Sequence, residues 1–200
     1  PEIYLNKRLA GRIRYYSYVN VFLKNKFADG MILMRKKLES YYRKRTGNEI
    51  PSVVIPMSVD IERFSESGQI NSAEEYIAYC GSLNDLKDGV SILLKSFALI
   101  SEKHKGVKLM IIGDSSDPME IKHYKKLVEE LKISDKVIFT GLVDRDQIPK
   151  MLKGAVVLAL SRPSSHQAEG GFPTKLGEYL ATSKPVVITD VGEIGQYLTN

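Results

Sequence analysis

The chain has 200 residues, 43% of them hydrophobic, and a formal net charge of +5, so it can form one well-buried domain or one domain and part of another. No apolar run approaches the roughly 20 residues that cross a bilayer, and one cysteine, Cys80, excludes an internal disulfide and suits a reducing cytoplasm. With only three histidines beside that cysteine, the sequence predicts no zinc site, and Cys80, which ends an apolar run, is interpreted as a small buried hydrophobe.

Positive charge is concentrated at the front of the chain. Residues 1–48 carry twelve Lys/Arg against three acidic residues, a net of +9, whereas the remainder has a net of −4. Residues 1–28 have apolar side chains at three- or four-residue spacing, which predicts a basic helix with interleaved tyrosines. Three interpretations remain open: a solvated face on a packed helix, contact with anionic lipid headgroups, and nucleic-acid binding. No recognition motif supports the last, so no nucleic-acid partner is predicted.

The next elements predict the end of one domain and a linker. A short strand is expected over Phe27–Leu33, a helix over 35–45 and a strand over 53–55. Residues 64–75 contain several Ser, Gly and Asn and are expected to form a linker. The predicted organisation is therefore a C-terminal remnant of one domain in 1–63, the linker in 64–75 and a second domain in 76–200. Because the chain lacks an initiator Met and stops early in a helix, we expect it to be part of a longer protein, truncated at its C-terminus.

From Tyr76 onward, strands and helices alternate on short loops. Strands are expected at 76–80, 109–112, 137–140, 156–160 and 186–189, and helices at 90–101, 120–131, 147–152 and 192–198, with a loop over Gly81–Gly89. A further helix-like segment precedes Lys184-Pro185. This alternation indicates an α/β fold with a Rossmann-like parallel sheet flanked by helices and right-handed crossovers. In such a sheet the loops that follow the strands meet at one edge, where ligands bind.

The last βαβ unit carries a glycine-bearing loop at that edge. Gly170 and Gly171 allow close approach of a ligand to the backbone, and Pro173 suits the first turn of a helix. The amide groups of that turn and the helix dipole favour phosphate or another anion. Glu178 lies about one turn beyond Thr174, where a carboxylate can accept hydrogen bonds from the hydroxyls of a ribose.

The segment EGGFPTKLGEYLATSKPVVIT resembles the donor-binding motif of glycosyltransferase family 4, the retaining two-domain nucleotide-sugar enzymes of the GT-B fold. IPMSVDIERF resembles the interdomain signature of the same family. The resemblance implies that residues 76–200 are the C-terminal, donor-binding half of a GT-B fold and that Glu178 binds the donor ribose. The motif's first Glu, which the family uses for the donor sugar, falls on Gly170, with Glu169 one residue early. In place of that Glu, the backbone amides of the stretch Gly171, Phe172, Pro173 and Thr174 are expected to contact the donor. Pro173 has no N–H, so in this stretch its neighbours donate.

The resemblance also assigns roles to the other loops. In the first loop, the family places an Arg after the glycine and a Lys before the next helix, both on the donor diphosphate. Here Gly81 is followed by Ser82, and Lys87 is the cation that remains. Asp114 lies in the second loop, and backbone contacts at Val143 in the third are implied to recognise the base. His166 is interpreted as solvent-exposed rather than catalytic.

The function that the resemblance implies is transfer of a sugar from a nucleotide diphosphate, of UDP or GDP type, to a hydroxyl of a glycan or lipid-linked acceptor. Lys87 and Glu178 are the expected catalytic residues, without a metal or other cofactor. We expect a cytoplasmic protein, in contact with the inner face of an anionic membrane through its basic front, and acting in cell-envelope polysaccharide synthesis. By itself the chain is expected to bind donor without turnover.

Two alternatives remain open beside this one. A nucleotide-sugar epimerase of the same architecture would use similar ribose and phosphate contacts, although the sequence is poor in the additional cleft histidines and carboxylates it needs. A non-catalytic nucleotide-sugar-binding module would explain Ser82 and the displaced Glu169. A dinucleotide oxidoreductase is disfavoured because no G-x-G-x-x-G follows the first strand of the second domain.

Overall fold

The computed structural model describes residues 27–46, 50–55, 57–68, 74–165, 168, 171–192 and 194–198. The chain divides into two compact units, Pro1–Pro56 and Met57–Asn200. The predicted basic helix over residues 1–28 lies almost entirely outside the described residues. Within the described part of the chain, no helix combines the length and the apolar character that spanning a bilayer requires.

The first unit contains a small parallel βαβ arrangement. Strand β1 (Met31–Leu33) pairs in parallel with β2 (Ser52–Val54), and α1 (Lys36–Thr46) connects them. The hydroxyl of Ser52 donates a hydrogen bond to Glu39 of α1 over 2.7 Å, which ties the helix to the second strand. The three predicted elements of this region therefore form, each shifted by a few residues.

The second unit is built around a five-stranded parallel sheet. Its strands are β3 (Tyr76–Cys80), β4 (Lys108–Ile112), β5 (Val137–Gly141), β6 (Val157–Leu160) and β7 (Val186–Ile188). They lie in the order β5-β4-β3-β6-β7, with every adjacent pair parallel. This is the Rossmann order, in which the chain first builds outward on one side of the central strand and then on the other. The predicted fold class is confirmed.

Helices connect the strands and cover the sheet. They are α2 (Ile61–Ser65), α3 (Asp85–Asp88), α4 (Val90–Lys103), α5 (Pro118–Glu130), α6 (Ile148–Gly154) and α7 (Thr174–Ala181), followed by a 3₁₀ turn at Ile194–Gln196. The start of α5 shows why the boundaries fall where they do. Asp117 accepts a hydrogen bond from the amide of Met119 over 2.9 Å, and Pro118 occupies the first turn, where its missing N–H is harmless.

The core of this unit lies where the central strands meet α4, α6 and α7. Parallel strands are buried on both faces and therefore consist of near-continuous apolar runs, as in YIAYC and KLMII. The largest fully buried side chains are aromatic and branched aliphatic; they include Phe64, Tyr76, Tyr79, Phe97, Leu109, Ile111, Leu152 and Tyr179. Phe64 belongs to this core, although the sequence interpretation assigned it to the start of a linker.

Three predicted details differ from the structure. The loop expected over Gly81–Gly89 contains α3, because Asn84 caps it by accepting from the amide of Lys87 over 2.9 Å. The linker expected from residue 64 overlaps α2, which Asp60 caps through the amide of Arg63. The last helix is only a 3₁₀ turn within the described residues.

Candidate functional site

The topological switch point of the sheet lies between β3 and β6. From β3 the chain continues to β4 and β5 on one side, and it returns to β6 and β7 on the other. In open α/β sheets, the crevice outside the carboxyl ends of the strands at such a point is the usual ligand position. Gly81 and Ser161 are the first residues of the loops that follow β3 and β6.

The loops after β3, β4 and β5 are joined by backbone hydrogen bonds. The amide of Gly81 donates to the carbonyl of Ile112 over 2.8 Å, and the amide of Leu83 donates to the backbone carbonyl of Asp114 over 3.0 Å. Gly113 has φ +126°, and a Cβ there would lie 2.1 Å from the carbonyl oxygen of Gly81. Only glycine permits this approach, so the predicted residues Gly81, Ser82 and Asp114 are held in one edge cluster.

Lys87 and Ser82 are both exposed at this edge. Lys87 lies on α3, whose left-handed C-cap is Gly89. A Cβ on Gly89 would lie 2.1 Å from the carbonyl oxygen of Ser161, while the Ser161 hydroxyl donates to the carbonyl of Gly89 over 2.7 Å. The end of α3 is thereby fixed against the end of β6, across the switch point. The predicted site residue Lys87 thus lies on a helix that is held at this edge.

The N-terminus of α4 is already capped by a carboxylate. Asp85 accepts from the amide of Ser91 over 2.7 Å and from its hydroxyl over 2.5 Å. At α4 an anion from the protein therefore occupies the position that an anionic ligand would otherwise take.

The N-terminus of α7 differs in that none of the described side chains caps it. Pro173, buried, is the N-cap residue, one position before the first helical turn predicted for it. Thr174 is exposed and begins the helix, and Phe172 packs edge-on against Tyr197 with ring centroids 5.1 Å apart. The first turn of α7 therefore keeps the character of an anion site.

A buried ion pair links α7 to α3. Nζ of Lys175 lies 2.5 Å from Oδ2 of Asp88 and 3.0 Å from the hydroxyl of Tyr79. The hydroxyl of Tyr79 donates in turn to the carbonyl of Ser82 over 2.8 Å. Burial lowers the pKa of Lys175, and the charge of Asp88 opposes that shift. The pair joins the first turn of α7 to the loop that carries Lys87.

Glu178 is engaged by an arginine that sequence reasoning overlooked. NH1 of Arg63 lies 3.3 Å from Oε1 of Glu178, and NH2 of the same side chain donates to the carbonyl of Arg145 over 2.7 Å. Arg145 lies two residues beyond Val143, which is half-buried against the core. Arg63 therefore contacts both Glu178, the predicted ribose residue, and the loop that is predicted to recognise the base.

The residues at the end of β3 are also buried. The amide of Cys80 donates to the hydroxyl of Tyr179 over 2.8 Å, and Tyr179 is fully buried. Burial raises the pKa of the Cys80 thiol to about 11, with a further rise from Glu178 and opposing effects from Lys175 and Arg63. This supports the interpretation of Cys80 as a buried hydrophobe rather than a nucleophile.

Three of the residues considered in the sequence, Glu169, Gly170 and His166, lie outside the described residues. Gly171, Phe172, Pro173, Thr174 and Glu178 are described and flank the crevice from the α7 side. Among the described residues, no group of three or more His, Cys, Asp or Glu side chains could hold a metal ion. The site assignments remain predictions.

An apolar cavity of about 350 Å³ lies on the face of the sheet that α4 covers. Its lining includes Ile77, Phe97, Leu109, Val157 and Val187, and it contains no titratable side chain. Such a lining offers no positive charge to a diphosphate. The crevice at the sheet edge is therefore the better candidate for a charged ligand.

The residues that sequence reasoning missed stood inside the motifs it used. Lys175 is the third residue of PTK, Asp88 the second of KDG, and Arg63 lies within VDIERF. Lys175 and Asp88 are each next to a predicted site residue, whereas Arg63 lies in the segment interpreted as the interdomain signature. A sequence can show such a residue but not which partner, distant along the chain, it meets.

Comparisons with known proteins agree with this architecture. A family model described as glycosyl transferases group 1 matches residues 60–200. An uncharacterized glycosyltransferase of Methanocaldococcus jannaschii is 31% identical over 129 residues, which are 64% of this chain and 30% of that protein. The chain thus spans less than a third of that relative's length.

Solved structures show the same fold. HepE of Anabaena, in complex with UDP and glucose, superimposes with a TM-score of 0.74 at 19% identity, covering 94% of this chain and 52% of HepE. WaaG, a glycosyltransferase involved in lipopolysaccharide biosynthesis, gives a TM-score of 0.65 at 19% identity, covering 83% of this chain and 45% of WaaG. The chain corresponds to about half of each.

Proposed function

The chain belongs to the group 1 glycosyl transferases, and from that membership we propose that it binds the nucleotide-diphosphate sugar donor of an enzyme that glycosylates an acceptor hydroxyl. The observation that carries the proposal is the extent of the family match. Residues 60–200 contain the whole five-stranded sheet, its switch point and the loops that flank it. In this fold the donor is expected in that crevice.

The donor would lie across the crevice from α3 to the base loop. Lys87, the first turn of α7 and the backbone N–H groups of Gly171, Phe172 and Thr174 would meet the diphosphate. Glu178 would accept hydrogen bonds from the ribose, and the backbone at Val143 would meet the base. A donor of UDP or GDP type is proposed, and the UDP and glucose bound to HepE are support for a sugar nucleotide.

Catalysis would be mainly electrostatic. The bond from the anomeric carbon to the diphosphate breaks with its electron pair on the departing phosphate oxygen, and the acceptor oxygen forms the new bond. The acceptor proton passes to the departing phosphate oxygen. Lys87 and the α7 amides would stabilise the charge that develops on that oxygen, while Glu178 holds the nucleoside. We propose a retaining hexosyl transfer without a metal or other cofactor.

The acceptor would be a glycan or a lipid-linked glycan used for cell-envelope polysaccharide. The basic front, residues 1–48 with a net charge of +9, would suit a cytoplasmic protein that touches the inner, anionic face of a membrane. The role printed for WaaG, in lipopolysaccharide biosynthesis, supports an acceptor of this class.

A second candidate, a non-catalytic nucleotide-sugar-binding module, is favoured by one observation. Ser82 is exposed where the resemblance expects an arginine, so this loop offers Lys87 alone to the diphosphate. Binding without turnover in the presence of an acceptor domain would favour that candidate. The epimerase alternative has no comparable support in the described residues.

The test is calorimetric titration of the chain with UDP, GDP, ADP and NAD, together with Glu178→Ala, Lys87→Ala and, as a matched control, Lys95→Ala on the exposed side of α4. One nucleoside diphosphate should bind saturably, and its affinity should fall about tenfold or more in the two site variants but not in the control. Binding of NAD alone, or of no nucleotide, would contradict the proposal.

A further inference from the structure

Arg63 connects two elements that the proposed donor site needs but that are far apart in the sequence. It lies on the short helix α2, and its two terminal nitrogens reach Oε1 of Glu178 on α7, over 3.3 Å, and the carbonyl of Arg145 after β5, over 2.7 Å. One guanidinium thus bridges the predicted ribose carboxylate and the loop of the predicted base site. The fork of an arginine is suited to hold two acceptors at a set separation.

The side chain of Arg63 is held in place. It is only 16% exposed, and its guanidinium lies 5.4 Å from the ring centre of Phe64, which is fully buried. Its helix packs against α6 and α7, the latter carrying Glu178. The guanidinium is therefore a fixed point from which both neighbouring loops are oriented.

Glu178 keeps acceptor capacity beyond this bond. Its side chain is 32% exposed, and Arg63 contacts Oε1. A carboxylate has about four acceptor positions on its two oxygens, so one arginine contact leaves room for two ribose hydroxyls. The contact with Arg63 also restricts rotation of the Glu178 carboxylate before a ligand binds. The entropic cost of restricting that rotation does not then oppose binding.

We propose that Arg63 is a positioning residue for the nucleoside of the donor: it orients Glu178 toward the ribose and anchors the loop after β5 at the base. The inference rests on the proposed function, since it assumes a nucleotide in the crevice. It assigns no contact between Arg63 and the ligand. Its consequence is that Arg63 governs how strongly the site prefers a ribonucleotide to its 2′-deoxy counterpart.

A purely architectural role has a different consequence. If Arg63 only ties α2 to α6 and α7, its loss lowers the stability of the fold and weakens all ligands alike. The ratio of affinities for ribo- and 2′-deoxynucleotide would then remain unchanged. This ratio separates the two roles, because only orientation of Glu178 acts on the hydroxyl that the two ligands do not share.

The experiment measures that ratio by calorimetry for whichever of UDP, GDP or ADP the unaltered chain binds, and for its 2′-deoxy form. Arg63→Gln should reduce ribonucleotide affinity about tenfold and 2′-deoxynucleotide affinity at most about threefold, so that the preference falls. Arg145→Gln is the matched control: it removes an exposed positive charge while keeping the carbonyl that Arg63 contacts, and its preference should equal that of the unaltered chain.

Two further variants make the result decisive. Arg63→Lys keeps the charge but cannot reach both acceptors as a fork, so we expect an intermediate preference; it also replaces Arg63→Gln if that variant does not fold. In a Glu178→Ala background, Arg63→Gln should cause no further loss of preference, because it acts through Glu178.

Each outcome decides the inference. If the unaltered chain binds nucleotide and Arg63→Gln, or Arg63→Lys in its place, leaves the preference unchanged, the positioning role is wrong while the donor site stands. If the unaltered chain binds no nucleotide, both fail. A preference that falls in the Arg63 variants and not in Arg145→Gln supports the inference.

Discussion

The ammonium group of Lys175 lies 2.5 Å from Oδ2 of Asp88, in an ion pair whose side chains are 14% and 2% exposed. The two residues are separated by most of the second unit in sequence, yet they join α7 to α3 across the switch point. The ring of Tyr79 also packs against this ammonium group, with its centre 4.9 Å away. Both sides of the proposed diphosphate site are therefore fixed to each other through a pair of buried charges.

We predict that Lys175→Met is strongly destabilising, because it leaves the Asp88 carboxylate buried without its partner. Breaking a buried pair from one side typically costs about 3–5 kcal/mol. The double variant Lys175→Met with Asp88→Asn removes both charges and should recover much of that loss. Denaturant unfolding measures each free energy, with Lys95→Met as an exposed control. Equal losses in the single and double variants would contradict the prediction.

The fold could be predicted from the sequence to a large extent. The strands 76–80, 108–112 and 137–141 fall within one residue of the expected positions, because buried parallel strands are short apolar runs bounded by glycine or charged residues. Short helices are harder to predict from the sequence. The one-turn helix α3 depends on the side chain of Asn84 bonding to the amide of Lys87, a contact that apolar periodicity does not reveal.

The candidate site could be predicted only in part. Glycines and the carboxylate of Glu178 stand in a recognisable order along the chain. What the sequence cannot give is the set of long-range partners: Arg63 meets Glu178 across 115 positions, and Lys175 meets Asp88 across 87. Such contacts depend on how the loops pack after the sheet has formed, and they decide which charged residues are available to a ligand.

The thiol of Cys80 should make stability depend on pH in the alkaline range. Its pKa rises from 9.0 to about 11 on folding, first because of burial. The folded state then holds the proton more tightly, so this contribution is fully present below pH 9 and is lost as pH rises to about 11. A shift of this size corresponds to roughly 3 kcal/mol over the window.

The measurement is the free energy of unfolding between pH 9 and about 11, compared in the unaltered chain and in Cys80→Ala. The decline with pH should be less steep in the variant. Burial lowers the pKa of Lys175, which acts in the opposite direction, because the unfolded chain binds the extra proton there. The difference between the two slopes isolates the cysteine, and parallel slopes would show that its thiol titrates alike in both states.

Two glycines of the edge cluster should both reject alanine, for different reasons. A Cβ on Gly113 would lie 2.1 Å from the backbone oxygen of Gly81, at φ +126°, so Gly113→Ala must distort the backbone. Gly81 has φ +156°, and a Cβ there would lie 1.9 Å from Cε of Lys175, which can move away only by disturbing its pair with Asp88. We expect each substitution to cost roughly 2–4 kcal/mol.

Thermal and denaturant unfolding of both variants test these losses, with Gly106→Ala as the control, since no atom lies within 4 Å of its added Cβ. Gly81→Ala should in addition weaken nucleotide binding, because a displaced Lys175 loosens the contact between α3 and α7. A Gly113→Ala chain as stable as Gly106→Ala would refute the close approach of the two loops.

The hydroxyl of Tyr179 should contribute to stability through a single hydrogen bond. It accepts from the amide of Cys80 over 2.8 Å, and the site is fully buried. Tyr179→Phe leaves that amide without an acceptor and should cost about 1–3 kcal/mol. Tyr197→Phe is the control, because that side chain is 48% exposed and the loss of its hydroxyl should be nearly neutral. A Tyr179→Phe chain as stable as the control would mean that the hydroxyl adds nothing to stability, and the end of β3 would then be held by apolar contacts alone.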